Sequence, residues 1–139
     1  MSDPYNLQRF VAAQAAVYET VCEEIRNGSK RSHWMWFIFP QIRGLGHSEM
    51  AQRYAIGSLG EAQAYLDHAL LGKRLRACCS MLLDLNGPSA EQIFGYPDCL
   101  KLHSSLTLFA YITDDKDIFN QCLVKYFNGK PDAGTSGLL

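Results

Sequence analysis

The six residues from Trp34 to Phe39 read WMWFIF, and every conformation open to them is apolar on all sides. A helix here would be apolar all round, and a strand would point Trp34, Trp36 and Ile38 one way and Met35, Phe37 and Phe39 the other. Both faces therefore need cover, and the rest of the chain must supply it. A chain of 139 residues is the size of one ordinary domain and buries roughly two-thirds of its unfolded surface, which is enough for such a core.

The covering elements are legible as helices. Asp3 before Pro4 sets a capping side chain ahead of a proline at a first helical position. Leu7, Phe10, Val11, Ala15, Tyr18, Val21, Cys22 and Ile25 then recur at helical spacing until Gly28. Ser48 can cap a short helix running to Ile56. Ser58-x-x-Glu61 has the form of a capping box opening a helix to Leu66, and Ser89-x-x-Gln92 is a second. Leu71, Leu75, Cys78, Cys79, Leu82 and Leu83 form one apolar face that the NGP at 86–88 ends. Pro97 and Asp98 open a helix carrying Leu100, Leu102, Leu106, Leu108 and Phe109, and Thr113 or Asp114 starts another that Gly129 closes. Neither a pair of alternating strands nor a repeat of fixed period is visible. The expectation is one all-α domain over residues 1–139, with six or seven mostly short helices and an aromatic-rich connecting segment.

Bulk properties exclude several classes of function. The formal charge of -1 calls for neither nucleic acid nor an anionic membrane surface. The five cysteines are an odd number without CxxC spacing, which argues against a disulfide framework or a zinc site and for buried thiols in a reducing compartment. The N-terminal residues lack the pattern of a secretory signal, and no apolar run reaches the ~20 residues that span a bilayer. A cytoplasmic protein without metal or cofactor is expected.

Candidate site residues each carry two readings. The aromatic run is either buried packing or the wall of a site whose polar groups are His33, Gln41, Arg43, His47 and Ser48, with Trp34 and Trp36 offering ring faces. Gly44-Leu45-Gly46 is either a simple turn or a loop whose backbone N–H groups approach a phosphate, with Ser48 at the following helix start. Cys99 and His103 stand at i,i+4, the spacing of a thiol–imidazole pair, although no third orienting group is identifiable. Glu61 is either a capping side chain or a carboxylate that steadies an oxocarbenium ion, with Arg74 and Lys101 as cations elsewhere in the chain. Asp98 is either an N-cap or a second acidic group.

The segments KRSHWMWFIFPQIRGLGHS, EAQAYLDHALLGKRL, PDCLKLHSSLTLF and YFNGKPDAGTSGLL, in that order over nearly the whole chain, resemble a family of short bacterial proteins of unknown function. Some members carry the label calpastatin. A calpain inhibitor of that kind is a disordered, repetitive chain, unlike this apolar one. The resemblance implies a predominantly helical fold and no established activity. Ala69 departs from the proline that family members usually have after the His, and DAGTSGLL is a looser form of the family ending.

A more distant similarity is to the helical NADAR proteins, which act on ADP-ribose-linked compounds. It rests on Ser58-x-x-Glu61, Gly72, Arg74, Asp98, Lys101 and the Leu/Phe helix that follows. That similarity implies a metal-independent N-glycosidase or hydrolase acting on ADP-ribose or nucleotide-linked compounds. Glu61 would stand at the anomeric carbon with Asp98 as the second acid, Arg74 and Lys101 would meet phosphate, and Trp34 or Trp36 would stack a base or ribose. His33 and Gln41 would bond sugar hydroxyls. The alternative is a non-catalytic module that holds a small, nucleotide-like ligand or a peptide in a Trp-lined cleft. A purely structural aromatic run, with function on another surface, is the third possibility.

Overall fold

In the computed structural model, which describes residues 2–139, the route into the aromatic run is set by one buried carboxylate. Helix α2 (Tyr18–Arg26) carries Glu24 on its inner face, and the chain turns back at Gly28 so that the segment 31–34 passes over it. Glu24 accepts hydrogen bonds from the backbone N–H groups of Arg31 (2.8 Å) and Ser32 (2.9 Å), the Ser32 hydroxyl (2.6 Å) and the Trp34 indole N–H (2.9 Å). Burial acts to raise the carboxyl pKa, but the bonds from Ser32, Arg31 and Trp34 outweigh it and bring it from an ordinary 4.5 to about 2. The run itself then forms a single helical turn, α3 (Met35–Ile38). Trp34, Met35, Phe37, Ile38 and Phe39 are buried, while Trp36 remains half-buried.

Upstream, α1 (Gln8–Ala15) precedes α2, and the two are separate helices where the apolar periodicity predicts one. Val17 N–H bonds the Gln14 carbonyl at 3.1 Å, a tightened three-residue closure, and no glycine or proline marks the break. Asp3 caps the first turn from further away than expected, accepting from Leu7 N–H and Gln8 N–H at 2.8 and 3.0 Å. After the run, α4 (Glu49–Arg53) is capped by Ser48 and stops short of Ile56, which pairs with Ile42 in an isolated parallel bridge. Helix α5 (Leu59–Asp67) leads into α6 (Leu71–Asp84), whose Leu71, Leu75, Cys78, Cys79 and Leu82 are buried as the pattern predicts.

The second capping box forms in full, opening α7 (Ala90–Phe94). Helix α8 (Asp98–Tyr111) begins directly after Pro97, and Asp98 makes no N-cap bond. Helix α9 (Ile118–Phe127) starts at Asp117, which caps it and pairs with Arg76, rather than at Thr113 or Asp114. The chain ends on a docked turn, α10 (Ala133–Ser136). Ten helices thus occur among the described residues against the six or seven expected, because the aromatic run and the C-terminal turn add α3 and α10 and the first expected helix divides into α1 and α2.

Helix α6 packs against α2, α5 and α9, helix α8 packs against α3, α7, α9 and α10, and α9 joins the two groups. Two polar devices hold these contacts. Lys125 donates to the carbonyls of Leu82, Leu83 and Leu85, and Tyr126 donates to Leu82, so α9 caps the end of α6. Buried Gln14 donates to the Phe37 carbonyl (2.8 Å) and the Tyr65 hydroxyl (3.2 Å), linking α1, α3 and α5. All five cysteines are free and buried. No helix of the described residues is long and apolar enough to cross a membrane.

The Glu24 contacts set a pH dependence. Its folded pKa lies below its unfolded value, so its contribution is complete above about pH 4.5 and is lost as the pH falls toward 2. That contribution amounts to about 3 kcal/mol at neutral pH. Urea unfolding of Glu24→Gln is expected to show a lower midpoint at pH 7 and a flatter stability curve than the parent between pH 4.5 and 2. Parallel curves for the two proteins would contradict this.

Candidate functional site

Between α3 and α4 the chain crosses the surface as the loop 41–47, anchored by the Ile42–Ile56 bridge. Arg43 N–H bonds the Ile56 carbonyl at 2.9 Å and Ile56 N–H bonds the Gln41 carbonyl at 2.8 Å. The extended backbone sends alternate side chains to opposite sides. Ile42 goes into the core, Gln41 lies half-buried beside it and Arg43 points outward. Two glycines shape the turn. Gly44 has φ +109°, and a Cβ on Gly46 would lie 2.6 Å from that of Ala51, so only glycine lets the loop close down on α4.

Three hollows meet at Gln41. One of about 390 Å³ is lined by Gln41, Arg43, Gly44, Gly46, His47 and Gln52, with Ile42, Ala51 and Ala55 on its apolar side. A second of about 330 Å³ lies across Gly46, between Lys101, Ser104, Pro97 and Leu100 of the α8 region and Asp132 and Gly134 at α10. The third is a slot of about 10 Å³ between Trp36, Phe39, Tyr54 and Lys101, room for about one water. Gln41 and Gly46 line both large hollows, which adjoin there as the two lobes of a surface cleft.

The charges differ between the lobes. At the first, the Arg43 guanidinium lies over Gly57 beside the Glu61 carboxylate but forms no ion pair among the described residues. Glu61 belongs to Arg9, whose Nη2 it meets at 2.7 Å, while Arg9 also donates to the carbonyls of Tyr5, Asn6, Arg53 and Ala55. Two guanidiniums to one carboxylate leave this end of the cleft cationic. At the second, Asp98 is held between Lys30 (2.8 Å) and Lys101 (3.4 Å).

The cleft gathers Trp36, Gln41, Arg43, Gly44, Gly46, His47 and Lys101 from the expected site residues, and leaves the others apart. Trp34 is sealed at 1% exposure, bonded to Glu24 and packed on Phe39 and Phe94, so it has no face to offer a ligand. Trp36 is half-buried and lines the slot, which has no room for a base. His33 is exposed outside the cleft, and Ser48 is committed to capping α4. Arg74 bonds Gln14 at 3.3 Å and covers the Tyr18 ring at 4.5 Å, and it lines none of the three hollows.

Glu61 is 6% exposed and has both oxygens engaged, one with Arg9 and one with Gly57 N–H at 3.1 Å. Ser58 accepts from Glu61 N–H as the motif predicts, but the carboxylate reaches Gly57 instead of Ser58 N–H, so the first capping box is only half formed. The Cys99–His103 pair does not arise. His103 stacks on Phe127 at 4.0 Å with Nε2 on the Lys130 carbonyl, and burial followed by Glu91 pushes the Cys99 thiol up.

Asp132 was not among the expected site residues. Its Oδ2 accepts from Thr135 N–H (2.9 Å), the Thr135 hydroxyl (2.7 Å) and the Ser104 hydroxyl (3.4 Å), while Oδ1 carries no bond among the described residues. Asp132-x-x-Thr135 is a capping pattern, which would have placed a carboxylate at a helix start but not at a cleft.

Comparisons with known proteins agree on kinship and leave activity open. The sequence matches the family described as "Protein of unknown function (DUF1810)" over residues 4–139. The structure is similar to the crystal structure of the conserved hypothetical protein Rv1873 from Mycobacterium tuberculosis, with a TM-score of 0.96 and 57% identity over 99% of this chain and 98% of that one. No curated protein matches.

With Arg9 and Glu61 paired at 16% and 7% side-chain exposure, Glu61→Gln is expected to lower unfolding stability by roughly 2 to 3 kcal/mol. A urea midpoint unchanged from the parent would show that the pair is not structural.

Proposed function

The chain belongs to DUF1810, a family of proteins of unknown function, and on that premise we propose that it is a binding module holding a small anionic molecule in the cleft at Gln41. The observation that carries this reading is Arg43, an exposed guanidinium without an ion-pair partner among the described residues, lining a hollow of about 390 Å³ with His47, Gln41 and Gln52. A guanidinium offers a planar fork of donors that matches phosphate or carboxylate oxygens. The volume suits a small molecule better than a macromolecular surface.

Cleavage of ADP-ribose or another nucleotide-linked compound, the reading that the NADAR similarity carries, requires a pair of carboxyl groups at the anomeric carbon. Glu61 is bound to Arg9 and Gly57, and Asp98 to Lys30 and Lys101. Binding without turnover is therefore the better-supported function. A peptide is less suited, because the cleft's outer end is cationic and its aromatic slot holds about one water.

Amide chemical-shift titration of the protein with inorganic phosphate and with AMP, at millimolar concentrations, tests this. Shifts are expected at residues 41–47 and 51–55, with loss of the response in Arg43→Met. No response to either compound would overturn the proposal.

A further inference from the structure

The second lobe of the cleft differs from the first in the chemistry it offers. Its polar groups are Asp132, Ser104, Lys101 and the shared Gln41, set against the apolar sides of Leu45, Pro97 and Leu100. Lys101 is partly occupied by Asp98 at 3.4 Å, and Asp98 has a closer partner in Lys30 at 2.8 Å, so the lysine retains donor capacity. Asp132 is held rigidly. Thr135 and Ser104 bind Oδ2, and the Asp132 N–H donates to the Thr107 hydroxyl at 2.9 Å. Asp132 lines the hollow, and its Oδ1 accepts no bond among the described residues.

A second anion would meet Asp132 there and be repelled. A hydroxyl would donate to Oδ1 and accept from Lys101 or the Gln41 amide, and the pairing of a charged acceptor with a hydroxyl donor is among the stronger hydrogen bonds. We infer that Asp132 is a specificity-determining residue, and that the cleft takes a polyhydroxylated anion, of the sugar-phosphate class, with its anionic group at Arg43 and its hydroxyls at Asp132. The inference rests on the anion-binding reading above and adds to it the half of the ligand that carries no charge.

Asp132→Asn makes the test sharp. Asparagine serves as an N-cap about as well as aspartate, so its oxygen can keep the Thr135 bonds while its amide turns a donor toward the lobe. Affinities for ribose 5-phosphate and for inorganic phosphate are measured on the full chain by chemical-shift titration. The parent is expected to bind ribose 5-phosphate about tenfold more tightly than phosphate, the effect of one or two added hydrogen bonds to a charged group. In Asp132→Asn that ratio should fall to near one, with phosphate affinity unchanged or slightly higher. Lys101→Met, at a side chain 22% exposed, is a second variant expected to weaken ribose 5-phosphate and spare phosphate.

Equal affinity of the parent for the two compounds, or a ratio preserved in Asp132→Asn, would overturn the inference and leave the anion site standing. Failure of the parent to bind phosphate or ribose 5-phosphate would overturn the anion site and the inference with it.

Discussion

The carboxylate of Glu24 is the point on which the aromatic run depends. Two backbone N–H groups, a hydroxyl and an indole N–H converge on it within 2.9 Å, and together they decide where the chain stands when it enters WMWFIF. Apolar burial cannot do this alone, because it has no direction, and a segment apolar on every side could enter the core in several registers. The indole bond removes that freedom by tying Trp34 to α2. Trp34 then meets Phe39 and Phe94, and Phe94 meets Phe39 edge-on at 5.9 Å, so one polar contact sets the orientation of an aromatic cluster. Lys30 completes the arrangement, lying 5.2 Å from the Trp34 ring and bonded to Asp98 at the start of α8.

The far end of the run is fixed by the same kind of device. Gln14 spends its amide on the Phe37 carbonyl and the Tyr65 hydroxyl, and Arg74 reaches the Gln14 oxygen from α6. A carbonyl near the end of a four-residue helix has no partner within that helix, and buried without one it would destabilise the fold. The two polar anchors bracket the run, and what lies between them is packing. Past them, at Gln41, the chain reaches the surface and the cleft begins.

Helices, caps and the buried face of α6 could be read from the sequence because each depends on residues close along the chain. The Ser89–Gln92 box and Ser48 cap are local chemistry, and they form where their motifs stand. The break after Ala15 could not be read, since no glycine or proline stands there and the contacts of the neighbouring Gln14 reach residues far along the chain. The site was harder still. Glu61 and Arg74 look like free charges in a sequence, but their partners, Arg9 and Gln14, lie 52 and 60 residues away along the chain. Gln41, Gly44, Gly46 and Lys101 were legible because they flank conspicuous motifs, whereas Asp132 sits in a tail with little pattern of its own.

The second lobe owes its wall to α10, which rests on α8 through Asp132, Ser104 and Thr107 and touches the loop where Gly134 faces Leu45 and Leu138 faces Gly44. Segments from far-separated parts of the chain therefore have to be in place before the cleft is whole. Short terminal helices held by a few contacts open more readily than core helices, by local unfolding that leaves the rest intact. A molecule bound across both lobes would oppose that opening and slow amide hydrogen exchange over the last turn, far along the chain from Arg43. For a ligand that spans both lobes, occupancy of the cleft and order at the C-terminal turn would be two views of one equilibrium.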